Sequence, residues 1–159
     1  VTTPLTITVH GIPAPQGSKK YVGHRTSKAT GKSAAVLLES SKKVAPWRSA
    51  VETAARLLLV ELPDWTPLDG PLCADMVFTL PKPTSAPKRT RTWPMRYPDL
   101  SKLLRSTEDA LTTAGIWADD ARVVKYGQLE KVFPGEHPDA LDQPGAVIRV
   151  WPLAEAVDQ

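Results

Sequence analysis

The sequence predicts an α+β fold, a single domain over residues 1–159 in which a mixed sheet of about four strands is covered by two main helices. Three observations carry this. Period-two apolar runs recur along the chain, two helical stripes lie between them, and no linker is long enough to divide 159 residues into two units. A chain of this length also buries enough apolar surface to fold without disulfides or a structural metal.

Leu5, Ile7 and Val9 alternate with threonines, so residues 4–11 read as a strand, which Gly11 and Pro13 end. Pro13–Thr30 mixes Gly, Pro and Ser with basic side chains and reads as a loop, with a ribbon expected around Lys20–His24. Ala34–Leu38 reads as a short strand. From Ala45, Pro46 takes a first helical position and Trp47, Ala50, Val51, Ala54, Ala55, Leu58 and Leu59 follow at helical spacing, which predicts an amphipathic helix. After a turn at Asp64–Gly70, Leu72, Ala74, Met76, Phe78 and Leu80 alternate in a second strand, stopped by Pro81, Pro83 and Pro87. Lys82–Pro98 has no apolar period and reads as an exposed arm. Asp99 as N-cap, a stripe of Leu100, Leu103, Leu104, Ala110, Leu111 and Ala114, and Gly115 as the stop define a second helix. Residues 121–133 and 145–151 read as the last strands, separated by a Pro- and Gly-rich acidic loop, and 152–159 as a disordered tail.

Composition narrows the function classes. The longest uninterrupted apolar run, Ala34–Leu38, is far too short for a membrane span, as is Leu57–Val60, so no membrane role is expected. Val1–Val9 has neither the basic start nor the apolar stretch of a signal peptide, and a cytoplasmic location is expected. The single Cys73 and three scattered histidines offer no zinc spacing, and Cys73 lies in a core-type strand. The net charge of +3 is unevenly spread. Residues 1–60 hold nine Lys/Arg against two acids, and residues 82–105 hold seven against Asp99 alone. The remainder is acidic. Such a segregated positive field suits a polyphosphate ligand, although charge runs alone more often only solubilise a loop.

The carboxylates are the second clue. On the helix after Asp99, the face opposite the apolar stripe carries Ser101, Lys102, Arg105, Glu108 and Asp109. Arg105 and Asp109 are spaced as an i,i+4 pair that serves only helix stability, and an N-cap role would explain Asp99 without chemistry. Asp119 and Asp120 are adjacent just before a strand. Two repelling carboxylates beside a third make an oxygen-rich site for Mg²⁺ or Mn²⁺, the arrangement used in phosphodiester hydrolysis, with Arg105 as a nearby cation. No phosphate-binding loop, H-E-x-x-H or C-x-x-C motif competes.

The run Pro98, Asp99, Leu100, Ser101, Lys102, Leu103, Leu104, Arg105, then Asp109, Ala110, Leu111 and the Asp119–Asp120 pair resembles the RusA-type Holliday junction resolvases. These are small endonucleases common in phages and prophages. The resemblance extends to the G-x-P-x-P stretch of Gly11–Pro15 and the basic residues after it, and spans most of residues 5–132. It implies a RusA-like α+β homodimer, acting in the cytoplasm of a bacterial or phage-infected cell. It also implies binding of branched DNA, four-way junctions above all, and Mg²⁺-dependent cutting of two opposed strands in recombination and repair. The metal ligands it implies are Asp99 and Asp120, with Arg105 at the position of a family lysine. Two departures stand out: Ser101 replaces the family's second aspartate, and arginine replaces the lysine, so that side chain's role is electrostatic and positional rather than proton-donating. Asp119, a water-bridged Ser101 hydroxyl or the more distant Glu108 are the candidate replacements for the missing ligand.

Reach sets a constraint. A helix from Leu100 to Ala114 is about 22 Å long, and the six residues to Asp120 span at most about 20 Å. Either the helix starts late, the return is nearly straight, or Asp99 and Asp120 converge across a dimer interface. DNA contacts are expected from Lys19, Lys20 and Arg25 in the first basic region, from Lys88, Arg89, Arg91 and Arg96 in the arm, and from Lys102. Trp93, Ile116 and Trp117 are large apolar residues in segments that read as exposed, which makes them candidates for the dimer contact. Competing readings are a branched-DNA-binding protein of the same fold that does not cut, and a metal-dependent hydrolase of nucleotides.

Overall fold

A computed structural model describes residues 3–17 and 32–154, with backbone only over 32–41. The elements are β1 (Leu5–His10), α1 (Lys32–Val60), β2 (Leu72–Thr79), α2 (Leu100–Ala114), a short 3₁₀ turn (Asp120–Arg122), β3 (Val123–Val132) and β4 (Gly145–Pro152). The fold is α+β, with two helices and a four-stranded mixed sheet in the order β1-β4-β2-β3. β4 pairs antiparallel with both β1 and β2, while β2 and β3 run parallel, joined through α2 as a crossover.

The period-two readings agree with the sheet. Ile7 and Val9 point into the core while Thr6, Thr8 and His10 face out, as expected for a strand at the sheet edge. β2 is central and buried on both faces. Leu72, Ala74, Met76 and Phe78 join the core beneath the helices, with Trp47, Val51 and Ala55 of α1 and Leu103, Ala110 and Leu111 of α2. Trp47 meets Phe78 edge-on at 6.5 Å between ring centroids and donates from Nε1 to Thr107 Oγ1 at 3.1 Å. Cys73 is buried as expected.

Two expectations are corrected here. Ala34–Leu38 is helical, because α1 begins at Lys32 and runs through Pro46. Four of the segment's five residues are Ala or Leu, which favour helix over strand. Pro46 is tolerated because it lies on the exposed side of α1, where water can solvate the carbonyl that its ring leaves without a donor. At the other end, Pro152 belongs to β4 and the Leu153 N–H donates to the Pro71 carbonyl at 2.9 Å, so the start of the expected tail is tied to the sheet. Residues 155–159 and the ribbon expected at Lys20–His24 lie outside the described residues.

β3 is irregular against β2 in two places, the first between Leu72↔Val123 and Cys73↔Lys125. Between Ala74↔Tyr126 and Met76↔Leu129 it holds one residue more than β2, a bulge that contains Gly127. Opposite it, the buried Asp75 carboxylate accepts from the Gln128 N–H at 2.7 Å. No described helix is long and apolar enough to cross a membrane.

Candidate functional site

The N-terminus of α2 is held from two directions. Lys131, near the end of β3, donates from Nζ to the carbonyls of Arg96 and Pro98, both at 2.8 Å, and so holds the chain where it enters the helix. The Gln16 N–H donates to the Lys102 carbonyl at 3.0 Å, and Ser106 Oγ to the Ala14 carbonyl at 2.7 Å. The Gly11–Pro15 stretch therefore packs against the first turns of α2. Gly115 ends the helix in the left-handed conformation, as its position predicts.

Asp99 occupies the N-cap position, but its side chain makes no capping bond, which corrects the expectation that capping accounts for it. Its carboxylate lies 3.5 Å from Lys102 Nζ and is largely exposed. Arg105 and Ser101 are exposed on the outer face of the helix. Arg105 makes no ion pair with Asp109, contrary to the i,i+4 expectation, and both side chains are free of that contact.

A second group forms near the other end of α2. The Asp119 carboxylate accepts from the Ala121 N–H at 2.7 Å and starts the 3₁₀ turn. That bond, then the hydrogen bond with Asp120, holds Asp119 below the usual carboxylate range. Asp120 is pushed the other way, first by desolvation, then by its hydrogen bond to Asp119 and by the negative charges of Asp119 and Asp109. Glu108 lies beside them. It accepts from the Tyr126 hydroxyl at 2.6 Å, and burial raises its carboxyl above the ordinary value. The same burial, with Glu108, raises the Tyr126 phenol.

Asp120 is thus grouped with Asp119, Asp109 and Glu108, not with Asp99. Asp99 lies nine residues before Glu108, about 13.5 Å along the helix axis. Two oxygens on one Mg²⁺ are at most about 4.2 Å apart, because each bond is about 2.1 Å. The fold therefore separates Asp99 from Asp120 within one chain, and among the described residues no three carboxylate, His or Cys side chains are arranged to hold one metal ion.

Of the basic residues, Lys88, Arg89, Arg91 and Arg96 are exposed on the arm and Lys102 is half-exposed beside Asp99. Lys19, Lys20 and Arg25 lie outside the described residues. The dimer candidates divide. Trp93 is exposed, but Ile116 and Trp117 are corrected from surface to core, with Trp117 only 1% exposed. The Leu68 N–H donates to the Ile116 carbonyl and the Ala118 N–H to the Leu68 carbonyl, clamping the α2–β3 connection against the preceding turn. Trp117 Nε1 donates to Thr112 Oγ1 at 2.7 Å. Sequence reasoning missed Tyr126 and Lys131, which sit in a strand whose period says nothing of which helix turn each will meet.

A search of the curated proteins finds no match to this chain. The family model described as Endodeoxyribonuclease RusA matches residues 13–145, a span that takes in the arm, the Asp99–Arg105 run and the Asp119–Asp120 pair. With most of its length covered by that match, the chain belongs to the RusA endodeoxyribonuclease family.

Proposed function

We propose that this protein is a divalent-metal-dependent, structure-selective endodeoxyribonuclease that resolves Holliday junctions and other branched DNA in recombination and repair, working as a homodimer. The single observation that carries the proposal is the family match over residues 13–145, which includes every carboxylate of the candidate site. In this reading Asp99, Asp119 and Asp120 are the metal ligands and Arg105 stabilises charge at the scissile phosphate. Contacts to DNA come from Lys88, Arg89, Arg91, Arg96 and Lys102, and from Lys19, Lys20 and Arg25 of the first basic region.

The donor set fits Mg²⁺ or Mn²⁺ in a particular way. Mg²⁺ commonly binds through one or two carboxylates and completes its shell with water and substrate phosphate. Asp119 and Asp120 crowd two carboxyls together with Asp109 nearby, and a cation would relieve that repulsion. Such an ion would activate a water and neutralise phosphoryl charge. The separation of Asp99 from Asp120 favours completion by a second copy, with Asp99 of one protomer facing Asp120 of its partner. A two-fold dimer also places two sites on the two equivalent strands of a four-way junction.

The test is cleavage of labelled synthetic junctions with Mg²⁺, Mn²⁺ or chelator, using Asp99→Asn and Asp120→Asn separately and mixed. Each variant alone is expected to bind junctions without cutting. Mixed subunits restore one intact site and should nick DNA. Mixtures that stay inactive would place the whole site in one chain, and cutting by Asp120→Asn alone would overturn its assignment. The second reading, binding without cutting, is favoured by Ser101 standing where the family pattern has aspartate. Absence of cleavage by the unaltered protein with both ions would support it.

A further inference from the structure

The arm between β2 and α2 carries a surface that the charge argument does not explain. Trp93, Met95 and Tyr97 are 57%, 87% and 72% exposed, three large side chains at alternate positions. They are not the loose end of a floppy loop. Pro94 between them is buried, the Thr92 N–H donates to Glu136 Oε1 at 3.1 Å, and Lys82 Nζ meets the same oxygen at 3.2 Å. Lys131 Nζ fixes the carbonyls of Arg96 and Pro98. The backbone is therefore pinned on both sides while the apolar side chains are directed outward. Leaving a Trp and a Tyr in water on an anchored segment forgoes burial that most proteins take, and such patches mark contact sites.

The charges name the class of contact. From Lys88 to Pro98 the arm holds Lys88, Arg89, Arg91 and Arg96 and no acid. The Arg91 guanidinium stacks over the Trp93 ring at 4.0 Å from its centroid. Aromatic faces interleaved with cations are the elements of a stacking platform for nucleobases, with the cations taking the flanking phosphates. In an intact duplex the base faces are already covered by their neighbours, and only edges and phosphates are open. The face of Trp93 not covered by Arg91, and the Tyr97 ring, find a nucleobase partner only where bases are unstacked.

We propose that Trp93, Tyr97 and the neighbouring Met95 form a binding site for unstacked nucleobases, which a single-stranded segment offers freely and a branch point exposes where its crossover opens, and which plain duplex does not offer. Tyr97 is two residues before Asp99, so a base held there brings its own phosphates to the start of α2. That consequence for cutting rests on the proposed nuclease reading, whereas the stacking does not.

The experiment avoids catalysis altogether. In chelator-containing buffer, the full chain is titrated with a twelve-nucleotide oligo(dT), with a duplex of equal length, and with a four-way junction carrying 2-aminopurine at the crossover. Trp47 and Trp117 are buried and Trp65 and Trp151 are half-buried, so the exposed Trp93 is the tryptophan most open to quenching. Oligo(dT) is expected to quench the emission, and Trp93→Leu to remove most of that quenching. Trp93→Ala with Tyr97→Ala should weaken oligo(dT) binding about tenfold or more. Duplex affinity should change less than twofold, and the 2-aminopurine signal at the crossover should fall. Both side chains are exposed, so an unchanged urea midpoint is the check that the variants fold. Three outcomes would overturn the proposal: oligo(dT) binding with unaltered tryptophan emission, equal loss of duplex and oligo(dT) affinity, or no oligo(dT) binding with the arm mediating protein association instead. A protein that never cuts DNA but shows the quenching would leave this site standing and refute only the nuclease reading.

Discussion

Gly127→Ala tests whether the bulge in β3 is held by a buried carboxylate, and the sign of its effect is not obvious in advance. Gly127 has no left-handed backbone, so alanine is conformationally allowed there. Restricting the unfolded chain would by itself stabilise the protein by about 0.4–1 kcal/mol. Against that, an added Cβ would lie 2.4 Å from Asp75 Oδ1 and 3.5 Å from the Trp151 ring. The carboxylate would have to retreat by about 1 Å to reach an ordinary contact distance. Its 2.7 Å bond from the Gln128 N–H cannot survive that movement. Asp75 is only 8% exposed, so little water is at hand to replace that bond. A hydrogen bond to a charged group contributes about 1.5–3 kcal/mol, so the clash outweighs the entropy gain and the net loss is about 1–2 kcal/mol. Urea unfolding followed by tryptophan fluorescence measures this directly. In an Asp75→Ala background the clash is gone, and the same glycine substitution should be neutral or stabilising. A Gly127→Ala protein as stable as the parent, or an equal loss in both backgrounds, would refute the reasoning.

Further predictions concern other parts of the molecule. Arg149 donates to both oxygens of Asp139 at 2.8 and 2.9 Å, and this pairing lowers the Asp139 carboxyl. A depressed folded value means stability that is fully present above the ordinary carboxylate range and is lost as pH falls below about 4. The difference in urea midpoint between the parent and Asp139→Asn should thus be constant above about pH 5 and shrink below about pH 4, and a pH-independent difference would count against the pairing. Trp117→Glu should abolish cooperative unfolding rather than convert a dimer to a monomer, because it places an unpaired charge in the core. A folded, stable variant by circular dichroism would contradict the burial. Replacing Lys88, Arg89 and Arg91 together by alanine should flatten the log–log salt dependence of junction affinity by about 2.7, three phosphate contacts at about 0.9 each. An unchanged slope would mean these cations only keep the arm soluble.

Much of the fold was legible because burial imposes a period. Leu5, Ile7 and Val9, the alternating residues of β2 and the stripe of α2 each repeat at the spacing of one buried face, and Gly115 marks a stop that only glycine adopts easily. The positions of the Asp99–Asp120 block were legible as chemistry, and chain arithmetic already limited how close its two ends could come. Other features depend on contacts that no local pattern encodes. α1 continues through Pro46 because that proline faces water, a fact about the helix's surroundings rather than its propensity. Ile116 and Trp117 read as exposed until Leu68, nearly fifty residues earlier, arrives to bond both sides of them. The polar side chains are the sharpest case. α2 packs on the sheet so that Glu108 meets Tyr126 while Lys131 holds Pro98. That packing assigns Asp120 to the group at Glu108 and leaves Asp99 at the far end of the same helix. The sequence determined which side chains are buried on each element, since apolar periodicity is a local property. Which carboxylates stand together was decided only by the tertiary structure, through the crossover that sets the direction of α2 against β3.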